Sequence, residues 1–406
     1  MTRTLDRPDR PQSVVSPAPA VRWLAVIALA LGGFGIGTTE FVAMGLLPDI
    51  ASNLGISEPT AGHIISAYAL GVVVGAPLIA ALTARMERRT LLLGLMVVFT
   101  LGNLVSVFAP TYGTLMAARF VAGLPHGAFF GIAALVAGHL MGPQNRAKAT
   151  AHVLTGLTVA TVVGVPAASW LGQALGWRAA FGLVVAVGLV TLTALWFWLP
   201  TMSAMHVTSP LTELGALKRV QVWLALLVGM VGFGGMFAVY TYVSTTLTDV
   251  AGLSRALVPL ALMVFGVGMV IGNLVGGKMA DVSVVGWLYA SITALGVVLA
   301  LFVVAAHNPW TALGGLFLIG AAGSSIGPAL QSRLMDVAHD AQSLAAALNH
   351  SALNIANATG AWVGGVVIAA GHGYTAPAAA GALLAVAGIV VLTVSVLLQR
   401  RTRTAA

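Results

Sequence analysis

Cysteine is absent from this chain, which excludes disulfides, thiolate nucleophiles and Cys-ligated metals. Charge is scarce as well. Asp, Glu, Lys and Arg make up 7% of the 406 residues, where a soluble domain carries about 25%. So few charges cannot cover a soluble surface. A bilayer removes the need, because lipid tails solvate Leu, Val, Ala and Phe. No stretch of alternating polar and apolar residues suggests a barrel strand. No His pair has metal-ligand spacing with a nearby acid, and no H-E-x-x-H set is present, so neither a metal, a cofactor nor an enzyme active site is expected. The net charge of +8 does not form a nucleic-acid surface, because the basic residues are scattered between long apolar runs.

What is present is apolar sequence, 59% of the chain. A membrane span needs roughly 20 apolar residues, and the runs predict twelve helices. They lie near 22–47, 60–83, 90–109, 113–139, 149–172, 178–199, 220–247, 255–277, 284–306, 310–331, 342–370 and 377–399. Val282–Ser332 and Ala341–Gln399 hold no Asp, Glu, Lys or Arg at all. His307-Asn308-Pro309 splits the first and Gly371-His372-Gly373-Tyr374 the second. The expected order is a disordered cytoplasmic tail at 1–21, a six-helix bundle at 22–199, a cytoplasmic linker at 200–219, a second bundle at 220–399 and a tail at 400–406. With the N-terminus inside, 16 of the 19 basic residues fall on the cytoplasmic side; Arg178 and Arg255 fall outside, and Arg119 within a span. That asymmetry predicts a multi-pass protein of the bacterial inner membrane with both termini cytoplasmic.

The two bundles repeat with an offset of 197 residues. Gly71 and Gly75 match Gly268 and Gly272, Gly123 matches Gly320, and Gly176-Trp177 matches Gly373-Tyr374. Parallel repeats joined by a linker predict an all-α membrane protein, two six-helix pseudo-repeats around a central cavity, with a substrate site between them near the midplane.

Of the 11 acids, only Glu40 lies deep in a span. Burying a lone carboxylate in a bilayer costs several kcal/mol unless it is paired or protonated, so it reads as a functional group, with a hydrogen-bonded structural carboxylate as the competing reading. Arg119 lies seven residues from the outer start of the fourth helix and Glu40 seven from the outer end of the first. At about 1.5 Å per residue the two share a depth, and they are expected to face one cavity and pair. His126 is a candidate proton relay or packing histidine, and His152 likewise. Asn354 and Asn357, three apart on one face, would bind a polar substrate group or join helices. Asn349 lies nearby. Tyr240 is the aromatic candidate for the cavity, and of the adjacent Phe129 and Phe130 only one can face it.

The chain resembles the drug:proton antiporters of the major facilitator superfamily, in the branch of the arabinose efflux permease and actinobacterial chloramphenicol exporters. The resemblance covers about residues 22–399. It rests on GTTEF at Gly37–Phe41, GLLPDIA at Gly45–Ala51, PHGAFFG at Pro125–Gly131, TVVGVP at Thr161–Pro166 and LGWR at Leu175–Arg178. It implies export of a drug-like or sugar-type small molecule in exchange for protons, by a monomer. It further implies proton coupling through Glu40 and through Arg119, which with Gly123 matches the family's R-x-x-x-G motif; the substrate-cavity candidates read from the residues themselves are Thr39, His126, Phe130, Tyr240, Asn354 and Asn357. Gly164 and Pro166 match the antiporter motif, which favours export over import, with a passive uniporter or importer of the same fold as the alternative. Arg85, Arg88, Arg89 and, in the second half, Asp281 match the family's gating loop, but Ala84 stands where an acid is expected.

Overall fold

The computed structural model describes residues 19–83, 86–202, 218–338 and 342–404. Among them there is no strand, and twelve helices are long and apolar enough to cross a membrane. These are α1 (Val21–Gly45), α2 (Glu58–Ile79), α3 (Arg88–Phe108), α4 (Tyr112–Met141), α5 (Lys148–Leu175), α6 (Trp177–Trp198), α7 (Val220–Thr241), α8 (Arg255–Val282), α9 (Val284–Ala305), α10 (Pro309–Ala338), α11 (Leu348–Ala369) and α12 (Ala376–Arg401). Helix is the expected outcome in hydrocarbon, because each span then satisfies its own backbone polar groups. Large apolar side chains such as Phe108, Phe197, Trp310 and Leu383 point outward, which suits lipid. An even number of spans puts both termini at one end of the bundle, called here the terminal end; the other is the far end.

The predicted spans are all present, with shifted limits. The first helix begins at Pro19, inside the expected tail, and the last runs to Thr404, past the expected limit of 399. The remainder of the tail at 1–18 and the linker segment 203–217 lie outside the described residues. The first predicted helix breaks at Leu46, and the chain continues as a short helix, Leu47–Leu54.

The 197-residue repeat holds at atomic detail. A Cβ on Gly71 would strike the carbonyl of Phe120, and one on Gly268 that of Phe317; Gly75 is blocked by Leu124 and Gly272 by Ala321. Both partners are displaced by the same 197 residues. α2 on α4 and α8 on α10 thus meet in one register, at a distance only a residue without a side chain permits. Gly176 and Gly373, which end α5 and follow α11, both hold positive φ, 91° and 79°, where an L side chain is strained.

The halves meet along α2–α11 and α5–α8. A five-residue π-turn, Ala160–Gly164, precedes Pro166 in α5. Proline lacks the N–H for the usual helical bond, and the widened turn takes up that mismatch. The backbone of Gly266 in α8 lies directly on this turn, at the carbonyl of Thr161. At the far end, Arg255 forms an ion pair with Asp49, and Thr245 donates a 2.6 Å hydrogen bond to Glu58. Deeper in, Phe41 stacks on Phe237 at 6.3 Å and meets Tyr240 edge-on. All of these contacts cross from one half to the other.

Candidate functional site

Arg119 is fully buried in α4. A cation in such a place must be stabilised by donor–acceptor contacts or by ring faces. Its guanidinium donates to the hydroxyl of Thr39 at 2.8 Å and to the backbone oxygen of Thr39 at 2.9 Å. It lies 4.4 Å from the Tyr68 ring centre and 5.3 Å from that of Phe181. Thr39 in turn donates to Oδ1 of Asn103 at 2.6 Å. The expected ion pair between Arg119 and Glu40 does not form. Thr39 precedes Glu40, and one residue of helix turns the side chain by about 100°, so Arg119 meets the wrong neighbour for pairing. Thr39 is accordingly a ligand of Arg119, not a group open to substrate.

Glu40 is 7% exposed. Among the described residues, no donor or cation comes within hydrogen-bond or ion-pair reach of its carboxylate. It lies near enough to Arg119, Tyr68 and Tyr240 for its charge to act on each of them. Tyr240 is buried and stacks on Phe265 with ring centres 4.0 Å apart. The arrangement is a buried carboxylate near the rings of Tyr68 and Tyr240, with one cation close by whose two terminal nitrogens are held by Thr39. Such a group exchanges a proton with little disturbance to its surroundings, because no hydrogen bond is lost either way.

A polar line continues from this point toward the terminal end. The hydroxyl of Tyr68 lies 3.1 Å from Nδ1 of His126. The His126 ring is 6.2 Å from that of His350 in α11, and Phe130 stacks parallel on His350 at 5.6 Å. One and two turns of α11 toward the far end stand Asn354 and Asn357, both buried. Nδ2 of Asn354 donates to the carbonyl of His350, while its Oδ1 and both polar atoms of Asn357 have no protein partner. His126, Phe130 and Tyr240 each touch a residue of the other half, and Asn354 and Asn357 are buried on the helix that carries His350. Phe129 packs instead against Gly32 of α1. His152 lies apart, edge-on to Trp23 at 5.0 Å.

Gly164 of the antiporter motif faces α1, where a Cβ would strike Thr38 and the ring of Phe34. In the loop between α2 and α3, Arg85 lies outside the described residues and Arg88 is buried. Arg89 sits over the Trp196 ring and donates to the Trp196 carbonyl, which fixes it to α6. Asp281 is exposed. The acid at work in this loop is Glu87. Its carboxylate accepts from the backbone N–H groups of Arg89, Thr90 and Met202. It thereby caps α3 and binds the segment after α6. Burial raises its pKa, and these hydrogen bonds outweigh burial, so the net effect is below the usual carboxylate range.

Two residues of the site escape a reading of the sequence. His350 falls on the same helical stripe as Asn354 and Asn357, at a spacing of four and seven, and that stripe was the available signal. Tyr68 had none, since nothing local pairs it with Arg119, 51 positions away. Gly323-Ser324-Ser325-Ile326-Gly327 spells the string of a nucleophile elbow, but it lies within α10 with no strand before it, and Ser325 donates to the carbonyl of Ala322.

Comparison with known proteins agrees with this architecture. Residues 29–285 and 240–406 match the Major Facilitator Superfamily profile. The inner membrane transport protein YdhP of Escherichia coli K12 is 43% identical over 369 residues, 91% of this chain and 94% of the relative. A chloramphenicol resistance protein of Streptomyces lividans is 36% identical over 375 residues, 90% of this chain and 95% of the relative. A bacterial homolog of the human lysosomal transporter Spinster, solved in an inward-facing and unoccupied conformation, aligns with TM-score 0.70 over 93% of this chain and 96% of its own. At 17% identity that likeness concerns the fold alone.

Proposed function

The chain belongs to the major facilitator superfamily and is a multi-pass membrane transporter; on that premise we propose that it exports a small amphipathic molecule in exchange for protons. The observation that carries this reading is Glu40. It is the one acid deep in a span, it stands at the junction of the two halves, and it has no hydrogen-bond partner among the described residues. A group so placed is useful only when its charge changes or is neutralised by cargo.

The excess of Lys and Arg in the loops of the terminal end supports cytoplasmic termini, so the far end faces outward. Glu40 then takes a proton from the outside and substrate leaves there. The halves rock about the site, and the proton passes to the cytoplasm as new substrate enters. The π-turn at Ala160–Gly164 gives α5 a ready hinge against α8. The Streptomyces lividans relative's role in chloramphenicol resistance supports export over import. In this reading the chain's own side chains bind both cargo and proton.

The test is flux in proteoliposomes of the purified chain under an imposed pH gradient, against a panel of sugars and hydrophobic drugs. Uphill transport that collapses with a protonophore is the expected outcome. Equal flux with and without the gradient would establish a uniporter instead.

A further inference from the structure

Asn354 and Asn357 carry more than a place on the wall. A helix turns about 100° per residue, so the faces of α11 can be assigned from its neighbours. Gly360 faces α7 at Phe237, and Gly364 faces Ala238 of α7 and Tyr242 just after it. The carbonyl of Ala358 accepts from Ser66 of α2, and Gly365 lies between the Tyr242 hydroxyl and Pro59 of α2. Between those two faces falls a single stripe: His350, Asn354 and Asn357. His350 meets His126 and Phe130 of the other half, so this stripe is the side of α11 turned toward the first half.

Along that stripe the unmet hydrogen-bonding capacity is specific. Two amide oxygens, Oδ1 of Asn354 and Oδ1 of Asn357, and one amide nitrogen, Nδ2 of Asn357, are buried without a partner. Buried polar groups are nearly always satisfied. Structural amides that join helices satisfy each other or a backbone carbonyl, and Nδ2 of Asn354 does so with His350; these three atoms do not. They ask for a ligand with at least two O–H or N–H donors and one acceptor. No charge on the stripe anchors an ion. Arg119, the buried cation of α4, has both terminal nitrogens on Thr39 and its guanidinium plane against Tyr68 and Phe181; only its Nε has no partner among the described residues, and Arg119 lies on α4, off the α11 stripe. Glu40 lies on α1 toward the far end, beside Phe41. Aromatic rings lie beside α11 at both ends of the stripe: Phe237 against Gly360 toward the far end, with Phe41 stacked on it and Tyr240 next to Phe41, and Phe130 stacked on His350 toward the terminal end.

From this we infer that Asn354 and Asn357 form the polar pole of a subsite for an uncharged cargo with two or more hydroxyl or amide donors beside an apolar ring, and that Glu40 is left free for the proton. The inference rests on the transport reading above and names the chemical class that the same site takes.

The experiment measures equilibrium binding to the purified full-length chain in lipid nanodiscs. One probe is phenyl β-D-glucoside, neutral, hydroxyl-rich and ring-bearing. The other is tetraphenylphosphonium, a lipophilic cation without donors. Phenyl glucoside binds, tetraphenylphosphonium does not, and Asn357→Leu or Asn354→Leu each weakens the glucoside by about tenfold or more. Where a Leu variant fails to fold, Asn357→Ser and Asn354→Ser are read in its place, with a loss of about threefold or more expected. Failure of the glucoside to bind, preference for the cation, or unchanged affinity in both variants overturns the subsite. Asn-dependent glucoside binding without proton-driven flux would sink the proton-coupling reading and leave the subsite standing. Proton-driven export of the cation, indifferent to both Asn positions, would do the reverse.

Discussion

Arg119 reaches across from α4 to hold both the hydroxyl and the backbone oxygen of Thr39, at 2.8 and 2.9 Å, and leaves the adjacent carboxylate of Glu40 without a direct partner. The cation therefore secures the position of α1 and acts on Glu40 through space. Removal of the Glu40 charge leaves every hydrogen bond of Arg119 intact. Glu40→Gln is accordingly expected to reach the membrane in normal amounts and to retain substrate binding, yet to lose gradient-driven transport. The measurement is substrate-induced proton release in membrane vesicles at matched expression. Retained gradient-dependent flux would mean that the proton travels by another route, with His126 and His350 the first to examine.

Arg119→Lys is expected to damage the same protein by a different path. Lysine keeps the charge but cannot make the two-pronged contact with Thr39 and stacks less well on Tyr68. A loss of folding stability on the order of 1–3 kcal/mol is expected, as for a buried polar group left unsatisfied. Thermal unfolding in detergent measures it, and a melting point equal to the parent's would show that the contacts with Thr39 are dispensable.

Gly164→Leu should lock or destabilise the transporter. A Cβ at this position already strikes Thr38 and Phe34, so a branched side chain must push α1 from α5 at a cost of about 1–3 kcal/mol. Reduced yield or absent export is the expected result, read by fluorescence-detected chromatography and efflux assay. Gly131→Leu serves as the control, because open space lies at that position.

The far-end ion pair between Asp49 and Arg255 is partly exposed, with 56% of the Arg255 side chain accessible. Such a pair contributes at most about 1 kcal/mol. Arg255→Ala should leave folding unchanged and favour the state open at the far end by up to about fivefold in population. Single cysteines placed in this chain, which has none of its own, report that shift through their labelling rates near Phe41. An unchanged rate would show that Glu58 and Thr245 hold the far end by themselves.

Glu87 links folding to pH at the terminal end. Its folded pKa lies below the unfolded value. Its contribution is therefore complete above the ordinary carboxylate pKa of about 4 and lost as pH falls through the folded value. Glu87→Ala should cost about 1 kcal/mol at neutral pH through the lost helix cap, and little at strongly acid pH. A mutant deficit that stays constant from neutral pH into that acid range would count against the capping role.

Orientation is checked by cysteines at Gln144 and His307, both exposed at opposite ends of the bundle. An impermeant thiol reagent added to intact cells should label position 307 and spare 144. The reverse pattern would invert the topology and, with it, the direction assigned to the proton.

Much of this protein was already determined by its sequence. Apolar run length marked the twelve spans, because a bilayer imposes one length on every helix that crosses it. The 197-residue offset carried over to the contacts of Gly71 and Gly268 with their carbonyl partners, because a glycine at a close helix crossing has no substitute. Glu40 stood out by burial cost alone. What only the tertiary structure decided was azimuth and long-range partnership. Equal depth suggested that Glu40 and Arg119 would pair, but depth says nothing of direction around a helix, and a single residue of rotation gave Arg119 to Thr39. The same holds for Tyr68 and His350. Each is an ordinary helical residue in the sequence, and each enters the site only when helices 50 or more positions apart are packed face to face.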